Sequence, residues 1–125
     1  MLKVAWAPIY HHPLPENHRF PMAKYSLLPE QLIHEGTLSE SDFFAPNMLT
    51  PEQITRTHCT DYWNELDQLT LDPKAQRKIG FPLSQQLIDR ERTICRGTID
   101  NTEYALQYGC SMNIAGGTHH AFFDR

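Results

Sequence analysis

Seven histidines occur in these 125 residues, and four of them stand in two adjacent pairs, His11–His12 and His119–His120. Imidazole is the side chain whose unperturbed pKa lies nearest neutrality, so either pair is a candidate for proton transfer. The second pair has the more suggestive setting. Met112-Asn113-Ile114-Ala115 leads into Gly116-Gly117, and Thr118 precedes His119 and His120. A buried strand holds its end rigidly, while two glycines let the backbone turn sharply or let another group approach it closely. A rigid strand that hands two histidines to its end is a candidate catalytic corner. The first pair lies in Pro8-Ile9-Tyr10-His11-His12-Pro13, a loop that Pro13 and Pro15 keep extended. Solvent-exposed imidazoles are the expectation there; the functional alternative is that the loop follows a strand's C-terminal end, where ligands of α/β proteins tend to bind. A metal site built from both pairs is disfavoured, because adjacent side chains on extended backbone point apart.

The elements that must position these residues follow from periodicity and punctuation. Leu2 to Trp6 fits a short strand. Met22, Tyr25 and Leu28 or Leu32 fall at helical spacing, so a helix is expected to begin near Pro21, to kink or restart at Pro29 and to end at Gly36. Asp42 to Pro46 reads as a brief strand or a packed loop. Thr50-Pro51-Glu52-Gln53 has the N-cap, first-turn proline and glutamine of a capping box. Thr60 or Asp61 is the next expected cap, with Tyr62, Leu66 and Leu69 on one face and Trp63 flanking it. His58, beside that helix, is expected to be packed or capping. Asp72-Pro73 restarts a helix that Gly80 closes, and Ser84 caps a longer one. Leu87, Ile88, Ile94 and Cys95 are expected on the apolar face of that helix, Arg96-Gly97 as an interruption, and Gly109 as its stop. The strand Cys110 to Ala115 follows. First and last elements are thus strands with helices between them, which reads as the opening of a parallel, doubly wound sheet whose last strand lacks neighbours.

Composition bounds the partners. A net charge of −4 gives no electrostatic support for nucleic-acid binding. No apolar run approaches the roughly 20 residues of a membrane span, and the first residues are too short and proline-broken for a signal peptide. The three cysteines, Cys59, Cys95 and Cys110, are odd in number and widely spaced, as expected of reduced thiols in the cytoplasm. The length suits one domain, and neither a repeat nor a linker divides it.

Two segments carry a resemblance. His18-Arg19-Phe20-Pro21-Met22-Ala23-Lys24-Tyr25 is similar to an H-R-F-P-M-x-K-Y signature. Asn113 to Ala121, followed by Asp124-Arg125, is similar to a G-G-x-H-H-A segment with a D-R pair after it. His58 and Tyr62 match a looser H-x-x-x-Y. The chain therefore resembles the N-terminal part of the histone deacetylase superfamily, in its class IV-like branch with bacterial acetoin-utilisation-type relatives. The resemblance implies an arginase/deacetylase-type α/β fold with a mostly parallel sheet flanked by helices, of which residues 1–125 are expected to be the N-terminal segment of a single domain, incomplete in this chain.

It also implies a zinc-dependent hydrolase that removes acyl groups from acyl-lysine or a related acylated amine. His120 is then expected to be general base and acid, and His119 the electrostatic partner of the developing oxyanion. Gly116 and Gly117 would line the acyl pocket, Arg19 would lie in an internal channel beneath it, and Tyr10 or His11 near the same cavity. The departure is large. The family's metal ligands, an Asp-x-His pair and a later Asp, lie downstream of the tandem histidines, and no D-x-H occurs in this chain. The metal ligands are accordingly expected beyond Arg125, and the 125 residues alone are expected to be inactive. Self-association, or association with the missing part, is the corresponding expectation for the unpaired sheet. The alternative is a short binding or regulatory paralogue that keeps the pocket wall without the chemistry.

Overall fold

A computed structural model describes every residue from Met1 to Arg125. Its framework is a three-stranded parallel sheet: β1 (Lys3–Ala5) at the centre, β2 (Phe43–Phe44) on one side and β3 (Ser111–Asn113) on the other. Val4 pairs with Phe43 and with Met112, so first and last strands are neighbours despite over a hundred intervening residues. Parallel pairing requires crossover connections, and five helices supply them. These are α1 (Lys24–His34), α2 (Pro51–Ile54), α3 (Thr60–Asp67), α4 (Pro73–Ile79) and α5 (Gln85–Tyr108).

The sequence rules for helix ends hold where they are purely local. Thr50 accepts from the Gln53 amide and Gln53 returns a bond to the Thr50 amide, which completes the capping box. Asp72 caps α4 and Ser84 caps α5, each contribution worth about 1 kcal/mol. Gly80 and Gly109 end those helices with positive φ, a region that costs glycine no Cβ clash.

Tertiary packing changes the reading elsewhere. Helix α1 starts at Lys24 and runs unbroken through Pro29. A proline there frees the carbonyl four residues earlier, and the Trp6 indole donates to that Tyr25 oxygen at 2.7 Å. Helix α3 begins at Thr60 with Cys59 as N-cap, and it buries Trp63 while Leu69 is exposed at a left-handed turn. The strand expected from Cys110 to Ala115 is limited to three residues, with Ile114 adding one amide bond to the Ala5 carbonyl.

Helix α5 packs across β1 and β3 and is not interrupted at Arg96-Gly97. Its buried residues include Leu87, Arg90, Ile94, Gly97 and Asn101, spaced three and four apart along one face. Cys95, expected on that face, is exposed. Leu87 and Ile94 join Tyr10, Met22, Tyr25, Phe81 and Ala115 in the core. Toward its C-terminal end the helix exposes Ile99 and Tyr108, and Leu106 is 85 % exposed. Met112 on β3 is exposed as well, on the sheet face away from α5, since Ser111 and Asn113 on either side of it bond to that helix.

Candidate active site

The segment that carries the second histidine pair leaves β3 through two tethers. The Ile114 amide donates to the Ala5 carbonyl at 3.1 Å, and the Ala115 amide reaches the Asn113 side-chain oxygen at 3.4 Å. Ala115 is buried; Gly116 and every residue after it are exposed. A Cβ added at Gly116 would meet nothing within 4 Å, so that glycine faces open space. Farther on, the segment touches down on the start of α3. There the Phe122 carbonyl lies 2.7 Å from His58 Nδ1, and the Cys59 amide donates to the Phe123 carbonyl at 2.9 Å. His58 also stands edge-on to the Tyr62 ring, which fulfils the expectation of a packed histidine.

His119 and His120 therefore sit on an exposed bridge between a buried anchor and a surface one. His119 Nδ1 is 2.8 Å from the Thr118 hydroxyl, and its ring packs beside Gly80. No carboxylate bonds to either imidazole. Glu91 on α5 feels the His119 ring: burial raises its pKa, while Arg90 and His119 pull it down. Gly80 links this corner to the other resembling segment, because its carbonyl lies 2.9 Å from His18 Nε2.

The remaining expected site residues are distributed differently. Arg19 is exposed, and no side-chain hydrogen bond or salt bridge engages it. His11 is exposed and lies 2.9 Å from the Ser26 hydroxyl. Tyr10 has no exposed surface at all: its hydroxyl donates to Asn113 Oδ1 at 2.9 Å, and burial drives its phenol pKa upward against the pull of Asn113 and Arg90. His12 corrects the expectation of two exposed loop histidines. After the 3-10 turn at Pro8–Tyr10 the backbone at His11 is extended, so Tyr10 and His12 face inward while His11 faces out. His12 is 4 % exposed, its Nδ1 has no partner, and burial, Arg90 and His11 all lower its pKa.

The buried cation beneath the loop is Arg90, which the sequence reading missed. It is 1 % exposed, donates to the Tyr10 carbonyl at 2.7 Å, pairs with Glu91 and lies 5.0 Å over the Tyr25 ring. Its spacing from Leu87 and Ile94 is the signal that could have found it. A groove of about 740 Å³ on α1, lined by Lys24, Leu27, Leu28, Glu30, Gln31 and His34, contains none of the expected site residues.

Nowhere do three or more His, Cys, Asp or Glu side chains come together as a metal would require. The 125 residues thus do not fit a zinc site. What they can offer is a pair of solvent-facing imidazoles on a strand exit, suited to accepting and returning a proton.

Comparison with known proteins gives this arrangement a context. The histone deacetylase domain family matches residues 18–125. An uncharacterized protein of Picosynechococcus sp. is 41% identical over 119 residues, which is 95% of this chain and 40% of that protein. The chain therefore spans about two fifths of that relative's length.

Proposed function

Because the chain belongs to the histone deacetylase family, a family of deacetylase-type hydrolases, we propose that it supplies the acid–base part of an amide hydrolase. The substrate is an acylated amine such as acetyl-lysine, and the products are a carboxylate and a free amine. The observation that carries this reading is the exposed Gly116-Gly117-Thr118-His119-His120 segment, held at the exit of the strand beside the central one. His120 takes the proton of the attacking water and returns it to the leaving amine. His119 stabilises the oxyanion that forms between those steps. Gly116 and Gly117 leave room for the acyl group against backbone, with Arg19, His11 and Tyr10 assigned to the same neighbourhood. In this reading zinc, the family's metal, would be held by residues other than these and would activate the attacking water.

No helix is long and apolar enough to cross a membrane. The reading places the protein in the cytoplasm, acting on a small or peptidic acylated amine. The exposed Leu106 and Tyr108 on α5 and the exposed Met112 on β3 support association with another copy or with further chain. The alternative reading is a binding module that keeps the pocket wall without catalysis.

The test compares the full translation product that contains these residues with the 125-residue chain, both supplied with zinc and an acetyl-lysine peptide. Acetate release by the full product, with none from the chain and no zinc retained by it, is the expected outcome. Hydrolysis by the 125-residue chain alone would contradict the division of labour. Peptide binding without hydrolysis by the full product would favour the binding module.

A further inference from the structure

Between Ala115 and Phe122 the backbone makes no hydrogen bond to the body of the protein, so the direction of the histidine segment is set by its two ends. The end at β3 is the buried one, and three residues from distant parts of the chain converge there. Asn113 Oδ1 accepts from the Tyr10 hydroxyl at 2.9 Å and from the Ala115 amide at 3.4 Å. Asn113 Nδ2 donates to the Ile94 carbonyl at 3.0 Å and to the Thr98 hydroxyl at 3.1 Å, both on α5. All four hydrogen-bonding positions of the carboxamide are occupied, which fixes its orientation.

Gly97 makes this convergence sterically feasible. A Cβ at that position would lie 2.7 Å from Tyr10 Oη, 3.0 Å from Asn113 Nδ2 and 3.0 Å from Pro46 Cγ. Its backbone is helical, so the glycine answers to a close approach and not to an unusual φ. The helix is thinned where the tyrosine hydroxyl and the carboxamide must meet.

We propose that Tyr10, Asn113 and Gly97 form a positioning unit that sets the direction in which the chain leaves β3, and thereby places Gly116 to His120. Tyr10 acts through Asn113, and Asn113 through the Ala115 amide; none of the three touches substrate. The catalytic meaning of the unit rests on the amide-hydrolase reading, but its geometry does not. It also gives Tyr10 a role behind the pocket wall that accounts for its complete burial.

The experiment is heteronuclear NMR and amide exchange on the full chain, with Tyr10→Phe, Gly97→Ala and the double variant. Tyr10→Phe keeps the ring and removes one hydroxyl. It is expected to shift the amide signals of Ala115, Gly116 and Gly117 and the imidazole Cε1–H signals of His119 and His120. Exchange at Ala115 should accelerate about tenfold, while the amides of α4 stay unmoved. Gly97→Ala is expected to displace the same signals by pushing the hydroxyl away. Removing that hydroxyl relieves the 2.7 Å contact but leaves those with Asn113 Nδ2 and Pro46 Cγ, so the double variant should fall short of the sum of the two. Unmoved signals at residues 115–120 in a folded Tyr10→Phe protein would overturn the proposal. So would additive shifts in the double variant, or a spectrum lost throughout in Tyr10→Phe, which would mark a general core role. Because no readout is an activity, failure of the hydrolase reading and failure of this proposal are distinguishable.

Discussion

The two ends of the histidine segment are built to opposite specifications. At β3 the chain is held by a buried network: Tyr10 has no exposed surface, Asn113 is fully bonded, and Gly97 is the helix position that lets them meet. Nine residues later the chain rests on the start of α3 through the half-buried His58 and one amide–carbonyl bond. The difference separates two demands on one stretch. Stability and direction are set before Gly116, whereas the residues proposed to do chemistry come after it and contribute little burial. Substitutions on the two sides should therefore have different consequences.

The largest effect is expected directly beneath the buried end. Arg90→Ala removes the bond to the Tyr10 carbonyl, the face of Tyr25 and nearly all the packing of a buried side chain. The Glu91 partner is 41% exposed, so most of the loss comes from the orphaned carbonyl and the vacated volume. A cost of about 3 kcal/mol is expected in urea unfolding, with a lower midpoint at unchanged slope. A change below about 0.5 kcal/mol would show that Arg90 is not what supports the first loop.

His12 sharpens the comparison through pH. Its folded-state pKa lies below its unfolded value, because burial and the Arg90 charge both oppose protonation. The stability it contributes is therefore fully present above about pH 6.5 and is lost as pH falls through the unfolded value toward the folded one. His12→Gln should flatten the acid limb of a stability–pH curve. An identical curve in His12→Gln would remove the buried imidazole as its cause.

The smallest effect belongs to the surface end. His58→Ala breaks the contact with the Phe122 carbonyl in water-accessible surroundings, so thermal stability should change by less than about 0.5 kcal/mol. Local exchange of the Cys59 amide, which donates to the Phe123 carbonyl, should nevertheless accelerate. A large global loss would mean that the surface anchor is part of the cooperative core, and the contrast between the ends would disappear.

What could be read from the chain followed the range of the interactions. Caps at Thr50, Asp72 and Ser84 and stops at Gly80 and Gly109 involve partners within a few residues, and each was legible. The parallel sense of the first and last strands also followed, from strands at opposite ends with helices between, but their pairing did not: the last strand, expected to lack neighbours, lies beside β1. Arg90, Gly97 and Asn101 were not legible as buried, because a charge, a glycine and an amide read as surface or interruption by type. Their spacing with Leu87 and Ile94 placed them on the inner face all the same. The network of Tyr10 with Asn113 spans over a hundred residues, and no local pattern encodes it. Of the candidate site, the motif-bearing histidines were legible from the resemblance, while the exposure of Arg19 and the burial of His12 needed the fold.

The central claim is that His120 serves chemistry and not folding. Its most direct test is to substitute His120→Ala in the full translation product and to measure acetyl-lysine peptide hydrolysis and the thermal midpoint on the same preparation. The account predicts a loss of about 10²- to 10⁴-fold in kcat with the midpoint unchanged within about a degree. Retained activity, or a loss of activity matched by a collapse in the midpoint, would contradict it.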